Sequence, residues 1–209
     1  MKTDTILYII EIIGTFAFAI SGIRLASAKK FDWFGAYVVG LTTAIGGGTL
    51  RDILLGLPPF WMTDKMYLIV TGIAMLTVIL FSKYLVHLHN TLFFFDAIGL
   101  GLFVVVGVQK SLMLDYPFWV AIIMGTITGA AGGIMRDIFI NEEPLVFRKD
   151  IYALACVIGA IAYYICDTLG MNFMISQVVC ASTVIFSRII AVRYHLHLPV
   201  LKGEDEFKK

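Results

Sequence analysis

The chain has 209 residues, of which 59% are hydrophobic and 15% charged, with a mean hydropathy of +0.89. A soluble domain carries about 25% charged residues, so this composition excludes a water-soluble globular protein and makes lipid the main solvent. The net charge of +1 gives no electrostatic reason to expect nucleic acid as a partner.

Crossing the hydrocarbon core takes about 20 mostly apolar residues in a helix. Seven stretches qualify, at residues 5–27, 33–55, 66–84, 91–109, 118–140, 151–169 and 173–192. The expected fold class is an all-α integral membrane protein with seven transmembrane helices. It forms one domain over residues 1–193, with a polar tail at 194–209. The first stretch is followed by Ala26-Ser27-Ala28, which looks like a signal cleavage site. It is long for a signal segment and contains Glu11, so it reads as a helix of the mature protein. Cys156, Cys166 and Cys180 lie in or beside apolar stretches and read as small buried hydrophobes. His87, His89, His195 and His197 flank helix ends. They read as solvated interfacial residues, with metal binding the alternative, and no metal site is expected.

The sequence repeats itself at an offset of 85 residues. Ile45-Gly46-Gly47-Gly48-Thr49-Leu50-Arg51-Asp52-Ile53 falls on Ala130-Ala131-Gly132-Gly133-Ile134-Met135-Arg136-Asp137-Ile138. The same register pairs Gly14 with Gly99, Phe18 with Phe103, Gly22 with Gly107, Gly40 with Gly125 and Thr43 with Thr128. It also pairs Pro59 with Pro144, Tyr67 with Tyr152 and Glu11 with Asp96. One offset aligning glycine, proline and charge together marks a duplicated unit, with one copy over 5–84 and the other over 90–169. Each copy holds three spans, an odd number, so the second copy is expected upside down, as in many transporters. The seventh span has no counterpart and is expected on the outside.

One side of the membrane would carry Lys2, Lys65 and Lys110. The other would carry Arg24, Lys29, Lys30, Lys83, Arg148, Lys149, Arg193, Lys202, Lys208 and Lys209. Positive residues stay inside, which predicts an external N-terminus and a cytoplasmic C-terminus.

The glycine runs carry the sharpest signal. A glycine costs about 1 kcal/mol against alanine inside a helix, so Gly46, Gly47 and Gly48 are expected to loosen or break the second span. Gly129, Gly132 and Gly133 would do the same to the fifth. Broken helices paired across an inverted repeat point to a binding or permeation site; the other reading is close helix packing. Arg51-Asp52 and Arg136-Asp137 follow within one turn. A charge at membrane depth faces a cavity or a partner, which suits a gate near each mouth. The alternative is an interfacial cap with the arginine reaching for headgroups. Glu11 and Asp96 could neutralise those arginines, attract cations, or serve structure alone. Lys110 and Asp115 are placed in a loop without a role. Thr42, Thr43, Thr49, Thr126, Thr128 and Ser182 offer a sparse polar lining, whose hydroxyls could replace the hydration of a monovalent ion. No nucleophile with a base and no phosphate-binding lysine loop occurs, so an enzyme is not expected.

Seven spans, a three-plus-three inverted repeat and a twice-used Gly-Gly-x-x-Arg-Asp resemble the bacterial and archaeal relatives of the trimeric intracellular cation channels. The matching motifs are Gly47-Gly48-Thr49-Leu50-Arg51-Asp52 and Gly132-Gly133-Ile134-Met135-Arg136-Asp137, and the resemblance runs to about Arg193. It implies a homotrimer in a prokaryotic plasma membrane, with one pore per subunit lined by glycine-kinked second and fifth helices. It implies potassium or sodium as permeant ions, chiefly potassium, with no cofactor, and membrane lipid as a partner. Animal members carry a lipid-binding Lys-Glu-Val element; here the corresponding stretch reads Ile134-Met135-Arg136. The same prokaryotic family has also been labelled as glycine transporters. A secondary transporter of a small zwitterion such as glycine is therefore the alternative function.

Overall fold

The computed structural model describes residues 2–82, 91–147 and 151–196. His87, His89 and His197, the basic residues Lys83, Arg148, Lys149, Lys202, Lys208 and Lys209, and most of the tail lie outside the described residues. Every regular element among the described residues is a helix: α1 (Lys2–Ala28), α2 (Trp33–Leu54), α3 (Phe60–Thr63), α4 (Met66–Leu80), α5 (Thr91–Met113), α6 (Phe118–Phe139), α7 (Ala153–Thr168) and α8 (Phe173–Arg193). Four of them, in α1, α5, α6 and α8, are by themselves long and apolar enough to cross a membrane. Helices α4 and α7, of 15 and 16 residues, span about 22–24 Å at 1.5 Å per residue, short of a typical hydrocarbon core. Helix α2 has 22 residues, but its glycines, Arg51 and Asp52 dilute its hydropathy.

The helix ends follow local chemistry. Asp32 caps α2 by accepting a hydrogen bond from the Gly35 N–H at 2.6 Å. Asn172 caps α8 through the Met174 N–H at 3.0 Å. Left-handed backbone just past α2 and α6 falls at Gly56 (φ 73°) and Asn141 (φ 58°), positions 85 apart. Lys30 (φ 61°) and Asp115 (φ 59°) match in the same way. The repeat in the residues is thus a repeat in the backbone.

Helices α1, α2, α5 and α6 pack together, α4 lies against α1 and α2, and α8 lies against α7 and α5. Between α1 and α5 the Phe18 and Phe103 rings stack, 5.4 Å apart at 11°. Phe18 presses on Gly99, where a Cβ would overlap it, and Phe103 lies beside Gly14.

The expectation that the glycine runs break the second and fifth spans is corrected. The α-helix continues without interruption through Gly46, Gly47 and Gly48 in α2, and through Gly129, Gly132 and Gly133 in α6. What offsets the poor helix propensity is contact. A Cβ on Gly47 would overlap the carbonyl oxygen of Thr128, and one on Gly132 would overlap that of Thr43. The two backbones touch where they cross, a contact that only residues without a side chain permit. Gly129 likewise lies against Val104 and Leu100 of α5, and Gly48 receives the ring of Phe60.

Candidate functional site: two buried arginine clusters

The last turn of α2 carries Arg51 to the interior, where it is 0% exposed. Its Nε donates to Asp52 Oδ1 at 2.8 Å, and its Nη2 lies 3.4 Å from Glu11 Oε1 on α1. Asp52 also holds the next segment of chain, accepting from the Phe60 N–H at 2.8 Å. Glu11 collects two further partners, Lys110 Nζ on Oε1 at 2.7 Å and the Tyr67 hydroxyl on Oε2 at 3.0 Å. Phe60 covers the cluster. Its ring meets Tyr67 edge to face at 4.4 Å and lies 5.5 Å from both Arg51 Cζ and Lys110 Nζ.

The last turn of α6 repeats this design. Arg136 Nε donates to Asp137 Oδ1 at 2.9 Å, and Asp137 Oδ2 accepts from the Leu145 N–H at 3.0 Å. Arg136 Nη1 donates to Asp96 Oδ1 at 2.6 Å and to Ser21 Oγ at 2.8 Å. The second cation here is Arg188 of α8. Its Nη2 is 3.9 Å from Asp96 Oδ2, its Nη1 donates to the Ile151 carbonyl at 3.1 Å, and its Cζ lies 4.7 Å from the Tyr152 ring centroid.

Each cluster balances two cations against two carboxylates, so neither carries net charge into the low-dielectric interior. That balance is what a buried ion pair requires, since desolvation otherwise exceeds the Coulombic gain. Gly47 meets Thr128 and Gly132 meets Thr43, so α2 and α6 run antiparallel where they cross and carry their final turns away from the crossing in opposite directions. Between them lies the contact of α2 with α6. Thr43, Thr49 and Thr128 stand along these helices, and each hydroxyl donates to the carbonyl four residues back, Val39, Ile45 and Met124 respectively. Their protons are committed, which leaves lone pairs as the available polar surface. Thr49 Oγ1 spends one on the Trp61 indole N–H at 3.0 Å.

Glu11 with Arg51, and Asp96 with Arg136, are therefore brought together by the fold. One sequence reading is corrected: Lys110 is not in a loop, since α5 runs on to Met113, and Lys110 pairs with Glu11. Helix α8 lies against α7 and α5, and its Arg188, 2% exposed, reaches the second cluster. Sequence reasoning missed Arg188, although a single arginine inside an apolar stretch is itself the signal. The three cysteines are free and buried.

The family model described as glycine transporter matches residues 8–83 and again 93–168. The second match begins and ends 85 residues after the first. A UPF0126 membrane protein of Vibrio cholerae is 42% identical over 197 residues, covering 93% of this chain and 82% of the relative. The inner membrane protein YadS of Escherichia coli K12 is 39% identical, covering 96% of this chain and 98% of the relative. Among solved structures, a trimeric intracellular cation channel orthologue from Rhodobacter sphaeroides superposes with a TM-score of 0.86 at 30% identity, covering 92% of this chain and 100% of the other. A TRIC cation channel studied for its conductance superposes with a TM-score of 0.83 at 34% identity, covering 94% and 97%.

Proposed function

This chain belongs to the prokaryotic trimeric intracellular cation channel family, and from that membership we propose that it is a channel for monovalent cations, chiefly potassium. The observation that carries the reading is the likeness, over more than nine-tenths of the chain, to solved cation channels of this family. The assembly is a homotrimer with one path inside each subunit. The 85-residue repeat is inverted, giving seven spans with the N-terminus outside and the C-terminus in the cytoplasm. The path follows α2 and α6. Arg51 with Asp52 closes it near one end, and Arg136 with Asp137 near the other. Glu11 and Asp96 hold the arginines in the closed position through the ion pairs they make with them. An open state moves each guanidinium aside, because a fixed cation in the path raises the barrier for another. Gly46, Gly47, Gly48, Gly129, Gly132 and Gly133 support that step. They bring the helices into contact, and they also leave them soft enough to bend or slide. Lone pairs of Thr43, Thr49 and Thr128 then stand in for part of the ion's water shell. Membrane lipid is the surrounding partner.

A second reading is a secondary transporter of glycine, favoured by the description of the matching family model. There Glu11 and Asp96 would couple ion or proton movement to the zwitterion. Single-channel recording of the purified protein in a planar bilayer under a potassium chloride gradient separates the two. The channel predicts discrete current steps that reverse near the potassium equilibrium potential. A silent bilayer, with labelled glycine accumulating in proteoliposomes under a proton or sodium gradient, would replace the channel with the carrier.

A further inference from the structure

We infer that the core beside α8 holds one resident water molecule, bound by Asp96, Tyr152 and Arg188. Three polar atoms there have no hydrogen-bond partner: Asp96 Oδ2, the Tyr152 hydroxyl and Arg188 Nε. The residues are 1%, 1% and 2% exposed, and Arg188 touches both of the others. A buried polar group without a partner is destabilising, and such groups are satisfied by protein or by ordered water. Arg188 lies against both other residues, and its unpartnered atom together with theirs points to one shared ligand.

Charge selects its class. Arg136 and Arg188 balance Asp96 and Asp137, so the site is formally neutral. A cation entering would meet two guanidiniums, and an anion would meet the free oxygen of Asp96. The ligand must accept from Arg188 Nε–H and donate to Asp96 Oδ2, while the tyrosine hydroxyl can do either. Water does all three, and three partners are typical of a buried water.

The first half of the chain supplies an internal control. There the tyrosine hydroxyl bonds directly to the carboxylate, Tyr67 to Glu11 at 3.0 Å. Asp96 is shorter than Glu11 by one methylene. Withdrawing a carboxylate by one C–C bond of about 1.5 Å turns that contact into a gap of about 4.5 Å. Two hydrogen bonds of about 2.8 Å meeting at a tetrahedral angle cover such a span. The water replaces the missing methylene. This inference rests on packing alone and holds whether the protein is a channel or a carrier.

Radiolytic hydroxyl-radical labelling of the full chain in nanodiscs reads the site, because a buried side chain is labelled from water held against it. Tyr152 is expected to be labelled several-fold faster than Tyr67, the buried tyrosine bonded straight to its carboxylate. Equal rates in the wild type would overturn the inference, and that comparison needs no variant. Asp96→Glu restores the methylene and is expected to bring Tyr152 down to the rate of Tyr67; unchanged labelling in the folded variant would also overturn it. So would saturable protection of Tyr152 by added glycine, which would make the ligand a zwitterion.

Discussion

Substituting Gly47 by alanine is expected to lower the unfolding temperature of the purified protein by roughly 5–10 °C, from an overpacking cost of about 3 kcal/mol. The added methyl meets the Thr128 carbonyl oxygen and carbon, which are backbone atoms that no rotamer change can move. Relief requires α2 and α6 to separate. Gly132→Ala should behave alike, because its Cβ meets the Thr43 carbonyl. Gly72→Ala is the control. Gly72 also lies inside a helix, α4, but nothing stands within 4 Å of its Cβ position. There the gain in helix propensity of up to about 1 kcal/mol should dominate, and the unfolding temperature should hold or rise. Thermal unfolding of the three variants in one detergent tests this. Equal shifts for Gly47→Ala and Gly72→Ala would mean that propensity, not the crossing contact, sets the role of the glycines.

The same glycines show where sequence reasoning succeeds and where it stops. Their recurrence at one offset singles out the two helices, and close packing is one of the two readings it allows. Local propensity then argues for broken helices, and tertiary packing overrides it, as it commonly does for glycine at helix crossings in membranes. The carboxylates were legible as well: Glu11 and Asp96 share the offset of the arginines, and the fold joins them. Lys110 was lost because the apolar run ends at Gln109, while the helix keeps going for another turn. Ser21 was beyond reach, since its bond to Arg136 spans 115 positions and its counterpart at that offset is Val106, which has no hydroxyl. Arg188 was missed for the opposite reason. The repeat has no counterpart for α8, so the 85-residue offset carries no signal for Arg188.

That difference in partners ranks the two arginines. Arg136→Ala is expected to cost about 3–5 kcal/mol, the usual penalty for stranding one side of a buried pair. Of its two guanidinium partners Asp96 would keep Arg188, at 3.9 Å, and Asp137 would lose the Arg136 guanidinium. Arg51→Ala should cost about half as much, because Lys110 stays on Glu11 at 2.7 Å and Tyr67 at 3.0 Å. In unfolding temperature this is a loss of roughly 8–15 °C against roughly 4–8 °C. Adding Asp96→Asn to Arg136→Ala removes the stranded charge and should recover part of the loss, a coupling a double-mutant cycle measures. Should Arg51→Ala prove the more damaging, Lys110 does not hold Glu11 and the first cluster depends on its arginine alone. The same variants connect stability to conduction. If the arginines close the path, the folded fraction of each variant should show a higher open probability than the wild type. Arg51→Ala, retaining more of its fold, is the variant in which that increase can be read cleanly.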